Sequence, residues 1–154
     1  MEIKIPKKFK LKNYTTEISA ARTIAEIEEL LLCFGASRIM KEISNDGKFT
    51  SIAFLIGNEG YKLPSNIEGV KQVLYSGKRG YHGRDNMQER YERAYRVAWR
   101  IIRDWLHAQL SIIASGQAAP DQVMLPYLFD GNRTLYDVYR AGGLKQLMGP
   151  KESE

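Results

Sequence analysis

No stretch of the 154-residue chain runs about 18 residues without polar interruption, and no short apolar segment near its start leads to a small-residue cleavage site. Neither a membrane span nor a secretory signal is therefore expected, and the expected setting is the cytoplasm. The one cysteine, Cys33, excludes an internal disulfide, and only His82 and His107 offer imidazole, so the cluster that a zinc or iron–sulfur site needs is missing. No metal and no cofactor are expected. Nucleophile motifs and paired-carboxylate patterns are absent too. Gly77-Lys78-Arg79-Gly80 and Gly80-Tyr81-His82-Gly83 lack the spacer of a phosphate-binding P-loop. His82 and Asp85 can be drawn as an acid–base pair, but one such spacing in a glycine-broken stretch arises by chance. The expectation is a chain without catalytic residues.

What is present is an ordinary core-forming composition, 44% hydrophobic and 27% charged, which suits one domain over 1–154. The net charge of +5 is unevenly spread. Residues 2–12 hold five lysines and one glutamate, and residues 78–103 hold eight basic side chains against Asp85, Glu89 and Glu92, so the rest of the chain carries −4. Segregation of this kind favours a polyanionic partner.

The pattern of apolar residues alternates between two periods. An arm at 1–13 mixes Ile3, Ile5, Phe9 and Leu11 with lysines and reads as an edge strand or an extended arm. Thr23-Ile24-Ala25-Glu26 has the spacing of a capping box, and Ile24, Ile27, Leu30, Leu31 and Phe34 share one face of the helix it would start, which Gly35 stops. Cys33, beside Phe34, reads as a buried structural thiol. The period then becomes extended: strands are expected at 38–43, 49–56 and 61–63, the first two joined through Asn45-Asp46-Gly47 with its positive-φ residues, and the second central because it is apolar on both faces. Ser65-Asn66-Ile67-Glu68 repeats the capping-box spacing before a short helix. A flexible basic loop at 75–87 with three glycines follows, then a long helix from about 88 to 115 whose apolar arc covers more than half its circumference. Core packing accounts for Trp99 and Trp105 on that arc. A segment at 121–128 broken near Pro126, a turn at 130–133 and a last helix capped by Thr134 complete a helical half at 88–143, and the final residues, 151–154, should fray. The fold class expected is α+β: a small antiparallel sheet of about three strands, an N-terminal helix, a long C-terminal helix and short terminal helices.

Two constellations carry the functional expectation. On the long helix Arg93, Arg96, Arg100, Arg103 and His107 advance by three or four residues and form a stripe on the side its apolar residues leave free. Such a stripe can track phosphates or be an ordinary solvated face. Glu89 and Glu92 stand four residues before Arg93 and Arg96 and can neutralise them, whereas Arg100 has only Asp104, in the less favourable order, and Arg103 has no acidic partner at that spacing. In the loop, Lys78, Arg79 and Arg84 are interleaved with Tyr75, Tyr81 and His82, which joins cations to rings able to stack on unpaired bases. Lys8 and Lys10 in the arm offer a second basic segment.

The succession "TTEISAARTIAEIEELLLCFGASRIM", "YKLPSNIEGVKQVL", "RAYRVAWRIIRDWLHAQLSIIASG" and "MLPYLFDGNRTLYDVY" resembles a family of small hypothetical proteins of bacteriophages, prophages and other mobile elements. That resemblance implies a phage setting, and so the cytoplasm of a host, but no activity and no functional residues. The leading expectation is a non-enzymatic nucleic-acid-binding protein that prefers single strands with low sequence specificity. Its contacts are expected from Lys8, Lys10, Lys78, Arg79, Tyr81, Arg84, Arg96, Arg100 and Arg103. The alternatives are a protein that binds and blocks a host protein or defence complex, and one that sequesters a small anionic nucleotide. Assembly as a homo-oligomer is left open.

Overall fold

The computed structural model describes residues 5–6, 8–76 and 84–143, so the expectations for Lys78, Arg79, Tyr81, His82 and the final residues lie outside the described residues. The fold is α+β. Helix α1 (Ala20–Cys33) leads into an antiparallel sheet of β1 (Ala36–Ile43), β2 (Phe49–Ile56) and β3 (Glu59–Pro64), in that spatial order. Helix α2 (Ile67–Leu74), the long helix α3 (Met87–Ala114), α4 (Pro120–Met124), a 3₁₀ turn (Leu125–Tyr127) and α5 (Leu135–Arg140) follow.

The helix starts show which polar residue reaches an orphan N–H first. Helix α1 begins ahead of the expected Thr23: Ser19 is its cap, with Oγ accepting from Arg22 N at 3.2 Å. Thr23 is instead fully buried within the helix, and its Oγ1 has no hydrogen-bond partner among the described residues. Glu26, the other half of the expected box, is turned toward α3. At α2 the cap is Asn66 rather than Ser65, accepting from Gly69 N at 2.9 Å. At α3 Asn86 and Glu89 form a reciprocal box. Thr134 and Asp137 form another at α5, as the sequence suggests for Thr134.

Cys33 corrects a second expectation. It stands two positions beyond the buried Leu31, roughly 200° around the helix, and is exposed. In the β1–β2 turn only Gly47 has positive φ, at +78°; Asn45 and Asp46 do not. The described part of the N-terminal arm is not a strand. It makes a turn in which Phe9 N donates to Pro6 O, then a second turn around Asn13, whose φ is +62°. Asp104 of α3 fastens it there, 3.1 Å from Lys12 Nζ and accepting from Asn13 Nδ2 at 2.9 Å.

Helix α3 is the spine. Ala94, Val97, Ala98, Trp99, Leu106 and Leu110 are buried against Ile24, Ile27 and Leu31 of α1, Ile52 and Phe54 of β2, and Leu63, Ile67 and Leu74. Burial of each valine, leucine, isoleucine or phenylalanine side chain in this cluster stabilises by about 1.5–3 kcal/mol. The main chain of Phe49 ties helix to sheet: its N–H donates to Tyr95 Oη at 3.0 Å, and its carbonyl accepts from Trp99 Nε1 at 3.1 Å. On the far face of the sheet Met40, Ala53 and Lys62 lie in one row. The C-terminal segment returns along the β3 edge. Phe129 N donates to Gly60 O at 2.8 Å, Leu128 bridges Tyr61, and Lys62 Nζ lies 5.2 Å from the centre of the Phe129 ring. Among the described residues no helix is long and apolar enough to cross a membrane.

Candidate nucleic-acid interface

The arginine stripe of α3 faces protein. Arg93 is buried, with Nε 3.0 Å from Asp85 Oδ2 and Nη1 3.3 Å from Glu17 Oε1. Arg96 lies 3.7 Å from Glu17 and donates to the carbonyl of Thr16 at 3.4 Å. Arg100 Nη1 meets Glu26 Oε2 at 2.7 Å, and Arg103 Nε lies 3.0 Å from the same oxygen without hydrogen-bond alignment, while its Nη1 reaches Asp104 at 3.2 Å. The expectation that Arg100 and Arg103 carry unpaired charge is therefore corrected, since their shared partner is on α1. The neutralising partners expected on α3 itself are engaged elsewhere, Glu89 in the helix cap and Glu92 with Lys48. His107 is exposed beyond the stripe.

Glu26 is pulled two ways. Burial, the largest influence, raises its pKa, but the Arg100 hydrogen bond and the charges of Arg100, Arg103 and Arg22 together bring it below the ordinary glutamate value. The acid therefore stays ionised, and the four arginines work as clasps between α3, α1 and the N-terminal segment.

A second cluster closes around Tyr75, Asp85, Arg90 and Arg93. Tyr75 Oη donates to Asp85 Oδ2, the same oxygen that Arg93 Nε approaches, and the guanidinium of Arg90 lies 4.7 Å from the centre of the Tyr75 ring while donating to Asp85 O at 3.1 Å. Burial and then the carboxylate raise the Tyr75 phenol above the tyrosine range. Burial also raises the Asp85 carboxyl, but hydrogen bonds from Tyr75 and Arg93 and the charges of Arg93 and Arg90 outweigh it, so Asp85 lies below its ordinary value. Residues 75 and 85 are thus joined, whatever path the chain takes between them. Arg84 is exposed beside the join, with no ion pair among the described residues. The polar hollow next to it, about 410 Å³, is lined by Asp85, Glu89 and Glu92 against Arg93 and Arg96, which makes it a poor seat for phosphate.

Lys8 and Lys10 are exposed, Lys10 over the ring of Tyr14 at 5.4 Å. Their segment is fastened at Asp104, 17 residues along α3 from Met87, or roughly 26 Å at 1.5 Å per residue. The two basic segments thus attach to α3 at separate places.

Rings and cations do meet in a place the sequence did not mark. A cleft of about 410 Å³ opens between β3 and the C-terminal segment, walled by Tyr127, Phe129 and Tyr136 with Pro64 and Pro126, and edged by Lys62, Asn132, Thr134 and Asp137. Tyr127 is held from behind by Trp105, edge to face at 5.2 Å between ring centres. The turn before α5 shapes the rim: Asp130 Oδ1 accepts from Asn132 N at 2.8 Å and Arg133 N at 2.7 Å, and Asp137 accepts from Thr134 N at 2.8 Å. Those main-chain bonds are the leading cause of the lowered pKa of both carboxylates. Arg133, between the lining residues Asn132 and Thr134 in the chain, and Arg140, one helical turn after Tyr136, are exposed, and neither is in an ion pair among the described residues. The signal that would have found this cleft is the return of Leu128 and Phe129 to β3, which leaves no local pattern. Among the described residues no three His, Cys, Asp or Glu side chains gather to hold a metal ion. No protein-family model, curated protein or solved structure matches the chain.

Proposed function

We propose that the protein binds single-stranded nucleic acid, without catalysis and with low sequence specificity, and that bases enter the C-terminal aromatic cleft. The observation that carries this reading is the cleft itself: three aromatic walls, one ring packed on Trp105, with Lys62 at its edge and two exposed arginines, Arg133 and Arg140, on the segment that forms it. Stacking on such rings is sequence-tolerant because every base has a π-face, and nearby guanidinium groups meet the phosphates between bases. The exposed Arg84, and Lys78, Arg79 and Tyr81 of the same sequence segment, are proposed as further contacts to the strand. Arg96, Arg100 and Arg103 are reassigned from phosphate contact to internal clasps. The resemblance to small phage proteins supplies the setting, a host cytoplasm in which such a protein meets viral or host single strands.

Fluorescence anisotropy of labelled single- and double-stranded DNA and RNA across a salt series tests this. The expected result is tighter binding of single strands, weakening steeply with salt, and loss of affinity in Tyr127→Ala and Tyr136→Ala. No binding at low salt overturns the proposal. So does a mononucleotide that binds as tightly as the oligomer, which would assign the cleft to nucleotide sequestration, or a host protein retained on the chain through the same cleft after nuclease digestion.

A further inference from the structure

Strand β1 is an open edge. The opposite edge of the sheet, β3, is capped in part by Leu128 and Phe129, whereas among the described residues no main-chain hydrogen bond reaches β1 from outside the sheet. Natural edges are usually blunted by charged side chains, prolines, bulges or short length, and here the bulges fall only near the two ends of the strand. This one is eight residues long and exposes Met40 and Ile43 at 56% and 61%. Its lysine does not guard it, because Lys41 is drawn to Glu28 of α1 at 2.6 Å and over the Phe49 ring at 5.0 Å.

The hydrogen-bond parity of the edge can be read from the sheet. Thr50 O accepts from Ser65 N, so the even residues of β2 address β3 and Ser51, Ala53 and Leu55 address β1. Through the pairs Arg38 with Leu55, Met40 with Ala53 and Glu42 with Ser51, the main-chain groups of 38, 40 and 42 are used inside the sheet. Those of Ile39 and Lys41 point outward. Arg38, Met40 and Glu42 present side chains on the far face of the sheet, all exposed. Arg38 has no ion pair among the described residues.

We propose that two copies of the chain pair antiparallel through β1, about a two-fold axis at Met40, to make a continuous six-stranded sheet with Arg38 opposite Glu42 of the second copy. Parity restricts a two-fold pairing to registers that oppose outward-facing residues to each other. Among these, the one centred on Met40 sets Ile39 against Lys41 of the second copy as hydrogen-bonded pairs. It also sets Arg38 against Glu42 and Met40 against Met40 as the closer, non-hydrogen-bonded pairs. Sliding by two residues in either direction places a charge opposite methionine instead. Directly opposed unlike charges and apolar pairs are what stabilise antiparallel neighbours. Lys62, 2.9 Å from Glu42, would extend the row to Lys62, Glu42 and Arg38 of the second copy. The bulges at Ala36/Arg38 and Glu42/Ile43 delimit the regular stretch to 38–42, about 17 Å of ladder.

Sedimentation velocity of the full chain over a concentration series, with disulfide trapping, tests the register. A dimer is expected, weakened at least tenfold by Arg38→Glu and recovered by adding Glu42→Arg. At the axis the two Met40 Cα atoms would stand about 4.5 Å apart, within the disulfide range of roughly 4.4–6.8 Å. Met40→Cys in a Cys33→Ser background should therefore oxidise to a covalent dimer faster than the parent chain does through Cys33. A monomer at every concentration overturns the proposal. A dimer indifferent to Arg38→Glu overturns it too, as does a thiol introduced at position 40 that stays reduced while Cys33 of the parent chain cross-links. The test needs no nucleic acid, so its outcome is independent of the proposed function.

Discussion

Arg100 Nη1 stands 2.7 Å from Glu26 Oε2, and the two residues are 74 positions apart in the chain. Glu26 is the sole carboxylate that meets both Arg100 and Arg103 among the described ion pairs. Glu26→Ala is expected to cost about 1–3 kcal/mol, since it leaves two largely enclosed guanidinium groups side by side. A fall in the thermal midpoint by several degrees checks this.

The same clasps give acid sensitivity a definite window. Glu26, Asp85 and Asp104 all have pKa values lowered in the folded chain, Asp104 because its bonds with Asn13, Lys12 and Arg103 outweigh the rise that burial alone would cause. A carboxylate with a depressed folded pKa contributes stability that is present above its unfolded pKa and is lost as pH falls through the folded value. Chemical denaturation should therefore give a constant free energy from neutral pH down to about 5, then a decline below the ordinary values of 4.5 for glutamate and 3.8 for aspartate. Glu26→Gln should shrink that decline.

Salt dependence separates the two kinds of arginine. Each phosphate contact to a single strand contributes about 0.7 to the slope of log K against log salt. Arg140→Ala should lower that slope by about this amount without changing stability. Arg100→Ala should do the reverse.

Cys33 is exposed at the end of α1. A thiol reagent should titrate one group per chain without denaturant, and Cys33→Ser should change stability by less than about 0.5 kcal/mol.

At Gly60 a Cβ would meet Phe129 O at 3.1 Å. Gly60→Ala should cost about 1 kcal/mol and loosen the return of the C-terminal segment. Faster amide exchange at Phe129, whose N–H is bonded to Gly60 O, would report it.

These outcomes turn on what the sequence displays and what it conceals. The strands, the long helix and the stop at Gly35 were legible because periodicity and turn chemistry are local, and β2 was legible as central from its apolar run. Thr134 was read correctly as the cap of α5, but the caps of α1 and α2 were misplaced: Ser19 lacks the glutamate that marks a box, while Thr23 and Glu26 have the spacing but are claimed by the core and by α3. The roles of the arginines were not legible. Their partners Glu17 and Glu26 lie 74 or more residues away, and only helical spacing can be seen along a linear chain. The aromatic cleft was hidden for the same reason, since Lys62 and Phe129 meet only after the chain has come back to β3.

Both hydrogen bonds from α3 to Phe49 are made to that residue's main-chain atoms, Tyr95 accepting and Trp99 donating. Such a contact is addressed to a place along the chain rather than to a kind of residue. Any residue but proline at position 49 can make both bonds, whereas inserting or deleting one residue in the 44–47 turn would present the wrong peptide to both rings. The helix therefore acts as a gauge of hairpin length, tolerant of drift in composition and intolerant of drift in count.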